Sequence, residues 1–290
     1  MCSSRHATGR IKNHQKILLL GCELDLSIPL LLRLFVSLEN AMKIAVINCE
    51  NAEKWKDYVS VISNAYGAEG NEDEFVEYQA FEKNVPTIQE LEGFDGVIVP
   101  GSRHSVNDNL PWLVHVENLL VKIVENKRPQ LFCTCFGHQL LAKALDGTVS
   151  QNVDKKFIFR AEEIETIDSR LQNLPYAKFL LGKPTPFLLI ESHGECVKTL
   201  PREAVCIATS KGSENEIFVI GDHVLSVQSH PEFDGRIACE RIFNSLLDKG
   251  RFGDSNQAKL CKASVLDARV ERCNSIFRVV VRKFLLRDFN

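Results

Sequence analysis

Three short segments of the chain carry residue types that fit acyl-transfer chemistry when brought together. The first is FCTCFGHQ at 132–139, where Cys135 follows an apolar run and precedes Phe136 and Gly137. A cysteine on a tight strand-to-helix turn projects above a sheet, with the next helix beginning beneath it. The free N–H groups and positive end of that helix favour a thiolate and, later, an oxyanion. The second segment is SVQSHPEF at 226–233, which sets His230 and Glu232 two residues apart after a strand-like run. Residues i and i+2 of an extended segment point to the same side, so Glu232 can orient His230. His230 can then carry a proton from Cys135 to a leaving amine. The third is VPGSRHS at 99–105, a strand running into a glycine turn. The backbone N–H groups of Gly101, Ser102 and Phe136 make a candidate oxyanion hole. A free cysteine is more often a buried core thiol, and a His–Glu pair is often only a solvated loop pair. The joint occurrence of three such segments, each where a strand should end, favours the reactive reading.

The elements needed to hold these segments are readable on either side of them. KIAVINC (43–49) is a short β-branched run and predicts a buried strand. Residues 52–66 predict a helix, and FVEYQAF (75–81) alternates as a second strand would. GFDGVIVPGS (93–102) predicts a strand entering a Pro-Gly turn. Trp112, Val116, Leu119, Leu120 and Ile123 recur at helical spacing within 111–126. PQLFCTCFGHQLLAKALDG (129–147) predicts strand, sharp turn and helix, closed by Gly147. The stretch 156–228 is richer in strand-like runs, and helical patterns return at 235–248 and 268–287. Alternating strands and helices argue for a three-layer α/β fold, with a mostly parallel central sheet covered on both faces. The 290-residue length suits one large α/β domain, expected over 42–290 with 251–290 as a helical segment packed on it.

Composition narrows the function. Hydrophobic content is 44%, charged content 25% and net charge −3, with no long basic stripe, which argues against nucleic acid as a partner. The ten cysteines are diluted over the chain, and only Cys133 and Cys135 are close. C-T-C is neither a zinc spacing nor a redox C-x-x-C, so no metal and no disulfide framework are expected, and the context reads as reducing and intracellular. Residues 1–41 differ from the rest. Their first 16 residues are basic without an acid, and Glu23, Asp25, Pro29 and Arg33 interrupt the apolar runs that follow. No membrane span is expected there. The segment predicts a poorly ordered leader or an upstream extension, with Met42 as the working start; a mitochondrial leader is the lesser alternative to a cytosolic protein. Arg269, Arg272, Arg278, Arg282, Lys283 and Arg287 on the last helix predict a solvated face rather than a membrane-binding one.

C-F-G-H-Q followed by Q-x-H-P-E resembles the class I (triad) glutamine amidotransferase superfamily, in which Cys, His and Glu occur in that order. The Pro-Gly-Ser turn ahead of the cysteine resembles the family's oxyanion strand. Three stretches look more narrowly like the γ-glutamyl peptidase-like branch, beside GMP synthase-like amidotransferases: GSRHSVNDNLPW (101–112), CFGHQLLAKALDG and ESHGECVKTLP (191–201). The resemblance implies the flavodoxin-like fold of that superfamily and no cofactor. It implies substrate contacts at Gln139, on the helix after the nucleophile, at His193 near the glutamyl pocket, and at His104. It also implies a small γ-glutamyl substrate such as glutathione, its conjugates or other γ-glutamyl peptides, cleaved through a thioester on Cys135. Two alternatives stand: a glutaminase subunit supplying ammonia to a separate synthetase, and a non-catalytic homologue. Cys133 and Ser229 occupy positions where the family usually has glycine, which predicts strain in the turn before the nucleophile.

Overall fold

Short β-branched runs that alternate with amphipathic helices can bury both faces of a sheet only by layering helices on either side. A computed structural model describes residues 41–174 and 186–288 and has that layering. The strands are β1 (Lys43–Asn48), β2 (Glu74–Gln79), β3 (Gly96–Val99), β4 (Gln130–Thr134), β5 (Thr148–Gln151) and β6 (Ile158–Thr166). They continue as β7 (Leu188–His193), β8 (Glu195–Thr199), β9 (Val205–Ser210), β10 (Ile217–Ile220) and β11 (Val224–Val227). Nine form one sheet in the order β2-β1-β3-β4-β11-β10-β9-β6-β7, and β5 pairs with β8 apart from it. The half from β2 to β11 is parallel, and the half from β11 to β7 is antiparallel. The leader-like reading of residues 1–41 falls, but for its last residue, outside the described residues.

The helices are α1 (Tyr58–Tyr66), α2 (Leu113–Asn126) and α3 (Phe136–Ala144), then α4 over 235–248, α5 (Ser255–Val265) and α6 (Ala268–Leu285). The predicted helix at 52–66 opens instead with a 3₁₀ turn, Glu53–Trp55. The middle of α4, Ala238–Phe243, is π-helical. Two apolar clusters fill the layers. One joins β1, α1 and α6 through Ile44, Ile62, Phe277 and Phe284; the other joins α2 and α3 to the opposite face through Val97, Val116, Leu120 and Leu140.

The helix α6 corrects the solvated-face expectation at two of its arginines. Arg282 is buried and holds Asp73 at 2.7 Å, and Arg278 turns inward to donate from Nε to the Pro231 carbonyl at 2.8 Å. Among the described residues, no helix is long and apolar enough to cross a membrane.

The sheet register matters most for the site. Val99 pairs with Cys133, Cys133 with Ser226, and Thr134 with Val227. The C-terminal ends of β3, β4 and β11 therefore lie side by side at one edge of the fold.

Candidate active site

Three strand ends deliver the three segments. Beyond β4 the chain turns at Cys135, whose φ of 46° and ψ of −102° lie where a residue with a side chain is strained. Its N–H donates to the Val227 carbonyl at 2.9 Å, and α3 begins at the next residue. Gly137 is required here. A Cβ on it would fall 2.0 Å from the Val99 carbonyl oxygen, so α3 can approach β3 only with hydrogen at that position. Cys133 does not strain the turn as expected. It lies within β4, fully buried in the cluster beside α2 and α3, and Cys135 itself takes the left-handed φ. All eight described cysteines are free thiols.

Beyond β11, His230 hangs by its N–H from the Ile190 carbonyl at 2.8 Å. Its Nδ1 meets Glu232 Oε1 at 2.8 Å, and the ring lies close enough to Cys135 to feel its charge. Phe233 stacks on the imidazole, with centroids 4.5 Å apart and planes 10° off parallel. Glu232 is buried and also accepts from the Tyr58 hydroxyl at 3.1 Å and the Thr134 hydroxyl at 3.4 Å. Burial opposes a charge on His230. The negative charges of Cys135 and Glu232, with the hydrogen bond to Glu232, outweigh it and hold the imidazole well above its ordinary range. From the last helix, Asn274 donates to the Phe233 carbonyl at 2.7 Å while Arg278 holds that of Pro231. The C-terminal segment thus fixes the backbone on both sides of Glu232.

Beyond β3, Gly101 packs directly against the imidazole; a Cβ there would meet His230 Cε1 at 2.7 Å. Ser102 donates its hydroxyl to the Cys49 carbonyl at 2.7 Å, and Glu50 accepts the Arg103 N–H at 2.8 Å, which ties this turn to the end of β1. Among the described residues no acceptor takes the N–H of Gly101 or Ser102. Phe136 is the first residue of α3, so its N–H has no carbonyl one turn earlier to bind.

The other predicted residues line the same cavity, whose volume is about 600 Å³. Gln139 spends both amide hydrogens on the protein, at 2.7 Å to the Glu195 carbonyl and 3.1 Å to Gln228 Oε1, leaving its own oxygen as an acceptor. His104 packs edge-on against Trp112. His193 is buried and committed through Nδ1. Its Nδ1 faces the Glu195 carbonyl at 2.9 Å, so that nitrogen carries the hydrogen, and its Nε2 lies 3.3 Å from Glu191 Oε2. Burial lowers the His193 pKa to about 4 and raises that of Glu191 to about 8, the latter helped by the charge of Glu162. The pair is therefore a neutral carboxyl beside a neutral imidazole, not an ion pair, and neither His193 Nε2 nor either Glu191 oxygen has a hydrogen-bond partner among the described residues. Behind it Glu216, also raised by burial and by Glu191, accepts the Ser229 N–H at 3.0 Å. Sequence reasoning did not find Tyr58, Thr134, Asn274 or Glu50. Tyr58 sits on an amphipathic helix where an aromatic residue reads as core. Among the described residues no cluster of three or more acidic, histidine or cysteine side chains could hold a metal ion.

Residues 54–249 match the family model of class-I glutamine amidotransferases, and that span contains all three strand-end segments. The chain belongs to this family. Its class-I relatives include gamma-glutamyl peptidase 3 of Arabidopsis thaliana, 24% identical over 76% of this chain and 88% of the relative. A GMP synthase [glutamine-hydrolyzing] of Aeropyrum pernix is 31% identical over 47% of this chain and 24% of the relative. Among solved structures, a glutamine amidotransferase of Thermotoga maritima superposes with a TM-score of 0.63 at 19% identity, over 85% of this chain and 99% of that one. That likeness supports the class-I amidotransferase fold: a mixed central sheet flanked by helices, as described above.

Proposed function

We propose that the chain is a cysteine-dependent hydrolase of γ-glutamyl amide bonds, acting on glutathione, its conjugates or other γ-glutamyl peptides. One observation carries the reading: Cys135, held at a strained strand-to-helix turn, lines the same cavity as a buried His230 that Glu232 orients and that is held towards its charged form by both groups. An imidazolium beside a cysteine at a helix N-terminus favours the thiolate. Similarity to gamma-glutamyl peptidases over most of both chains supports the choice of bond.

The mechanism follows from the positions. The Cys135 thiolate attacks the γ-carbonyl carbon, and its oxygen becomes an oxyanion near the N–H groups of Phe136, Gly101 and Ser102. As the C–N bond breaks, His230 gives its proton to the leaving amine. The γ-glutamyl thioester remains on Cys135. Neutral His230 then takes a proton from water, whose oxygen attacks the thioester; glutamate leaves and the thiolate–imidazolium pair returns. Glu232 holds the imidazole in the tautomer that points Nε2 at the sulfur and stabilises its positive form. The Gln139 oxygen is free to accept from the α-ammonium of the glutamyl group. Similarity to GMP synthase favours a second reading, in which glutamine is the substrate and ammonia passes to a synthetase partner. The test is release of glutamate from glutathione, other γ-glutamyl peptides and glutamine by wild type and Cys135→Ala. Peptide hydrolysis by the isolated chain, lost in Cys135→Ala, is expected. No release above the variant's background with any of them overturns the hydrolase, and release from glutamine alone favours the second reading.

A further inference from the structure

The cavity above Cys135 is charged against the trend of the chain. The protein as a whole carries a net charge of −3, yet five cationic side chains and only two carboxylates line this cavity. Both carboxylates are turned into the protein. Glu50 accepts the N–H groups of Ala52 and Arg103, and Glu195 accepts the Ser105 hydroxyl at 2.6 Å. On the cationic side, the head groups of Lys249 and Arg251 meet no hydrogen-bond or ion-pair partner among the described residues. Lys54 sits close enough to be pulled below its ordinary range, first by burial and then by the charge of Lys249. Unneutralised like charges held together around a concavity are unfavourable unless an anion joins them.

Their position tells which part of a substrate they would meet. Trp55, the neighbour of Lys54, stacks on Phe233 at 5.2 Å, and Phe233 stacks on His230. Lys54 reaches across to the π-helical stretch of α4 and donates to the Arg241 carbonyl at 2.6 Å. Lys54, with Lys249 and the nearby Arg251, therefore lies on the His230 side of the nucleophile, whereas Lys155 lies beside Gly194. Ser192, Gly194, Glu195 and Gln139 line the other side, with the Ser192 carbonyl 3.8 Å from Cys135 Sγ. In the reaction proposed above the leaving amine must lie next to His230, because it takes that proton. The acyl half occupies the other side. Ile242 and Leu246 add an apolar wall beside the cations.

We propose that Lys54, Lys249 and Arg251 form a leaving-group subsite for a carboxylate. The preferred substrates are then γ-glutamyl peptides or γ-glutamyl amino acids whose released amine keeps a free carboxylate, rather than glutamine or γ-glutamyl amines. This deepens the hydrolase reading and rests on it. The ammonia released from glutamine is too small to reach these side chains, so the subsite serves only larger leaving groups.

The experiment compares γ-glutamyl-cysteinyl-glycine with its C-terminal amide, using wild type and a Lys249→Gln/Arg251→Gln double variant of the full chain. Both positions are exposed, and thermal unfolding confirms that the variant is folded. In wild type at low salt the free acid is expected to exceed the amide about fivefold in kcat/KM, the scale of a partly solvated charge contact. Added salt and the double variant should each bring that ratio towards one. An acid-to-amide ratio near one in wild type overturns the subsite, as does a double variant that keeps the wild-type ratio. Calorimetric binding of the same two peptides to Cys135→Ala separates the two proposals. If no substrate is turned over but the acid still binds more tightly than the amide, and the cation-to-glutamine changes abolish that preference, the subsite stands and the hydrolase reading falls. Equal binding of acid and amide removes the subsite whatever the activity.

Discussion

Among the described residues there are two buried histidine–glutamate pairs, and they behave in opposite ways. In the parallel half of the sheet, His230 and Glu232 meet at 2.8 Å, and the histidine is driven towards its charged form. In the antiparallel half, His193 and Glu191 meet at 3.3 Å, and both are driven to their neutral forms. Burial is the same in both places, so it does not decide between them. The surroundings do. Glu232 receives two hydroxyl donors and faces an imidazole that also has the Cys135 sulfur, so negative charge is balanced. Glu191 has Glu162 and Glu216 as neighbours, and a second negative charge there is costly. A histidine next to a carboxylate is thus not by itself a catalytic sign; what matters is which other charges share the burial.

The comparison can be broken at each acid in turn. Glu232→Gln is expected to have the largest effect, lowering kcat on the order of 10²-fold with little change in KM, because the imidazolium loses its anionic partner. Steady-state kinetics with the best γ-glutamyl peptide measures it. Glu191→Gln should lower kcat no more than about threefold, and its signature is stability. Glu191 binds its proton more tightly folded than unfolded, so its contribution is present below its ordinary value of 4.5 and lost as pH rises through about 8. His193 acts oppositely: its contribution is present above 6.5 and lost as pH falls through about 4. The two effects offset each other between those ordinary values, and only the Glu191 loss continues above pH 6.5. The wild type should therefore lose about 2 kcal/mol more stability than Glu191→Gln between roughly pH 6.5 and 8, measured by urea unfolding. Equal losses in the two proteins would show that Glu191 is already ionised in the folded protein at pH 6.5. The smallest effect is expected from Tyr58→Phe, which removes one of the donors to Glu232 and should lower kcat about fivefold.

The candidate reacting groups were legible in the sequence because each lies in a short motif at a strand end. Cys135, Phe136 and Gly137 are consecutive, and His230 and Glu232 are two apart. Their supports were not legible, because they come from far away. Tyr58 reaches Glu232 across 174 positions, and no local pattern separates it from an ordinary core aromatic. The arginines of α6 show the same limit. Helical spacing alone left them on a solvated face, whereas Arg282 is buried against Asp73, 209 positions earlier. The β5–β8 pair escaped notice because TVSQ and ECVKT are short and partly polar, with little apolar pattern to mark them. The central parallel strands β1, β3 and β4 read clearly because their near-continuous apolar runs need no partner to be recognised.

The register that lines up Val99, Cys133 and Ser226 ties the nucleophile, the base and the candidate oxyanion turn to the sheet itself. The cations of the cavity wall hang from a 3₁₀ turn and from the segment after α4, outside every strand pairing. In the proposed reaction, bond breaking and substrate choice are therefore carried by separate parts of the chain. A substitution in the wall leaves the strand register intact, whereas a single-residue insertion within β3, β4 or β11 would shift that register and separate the three strand-end segments.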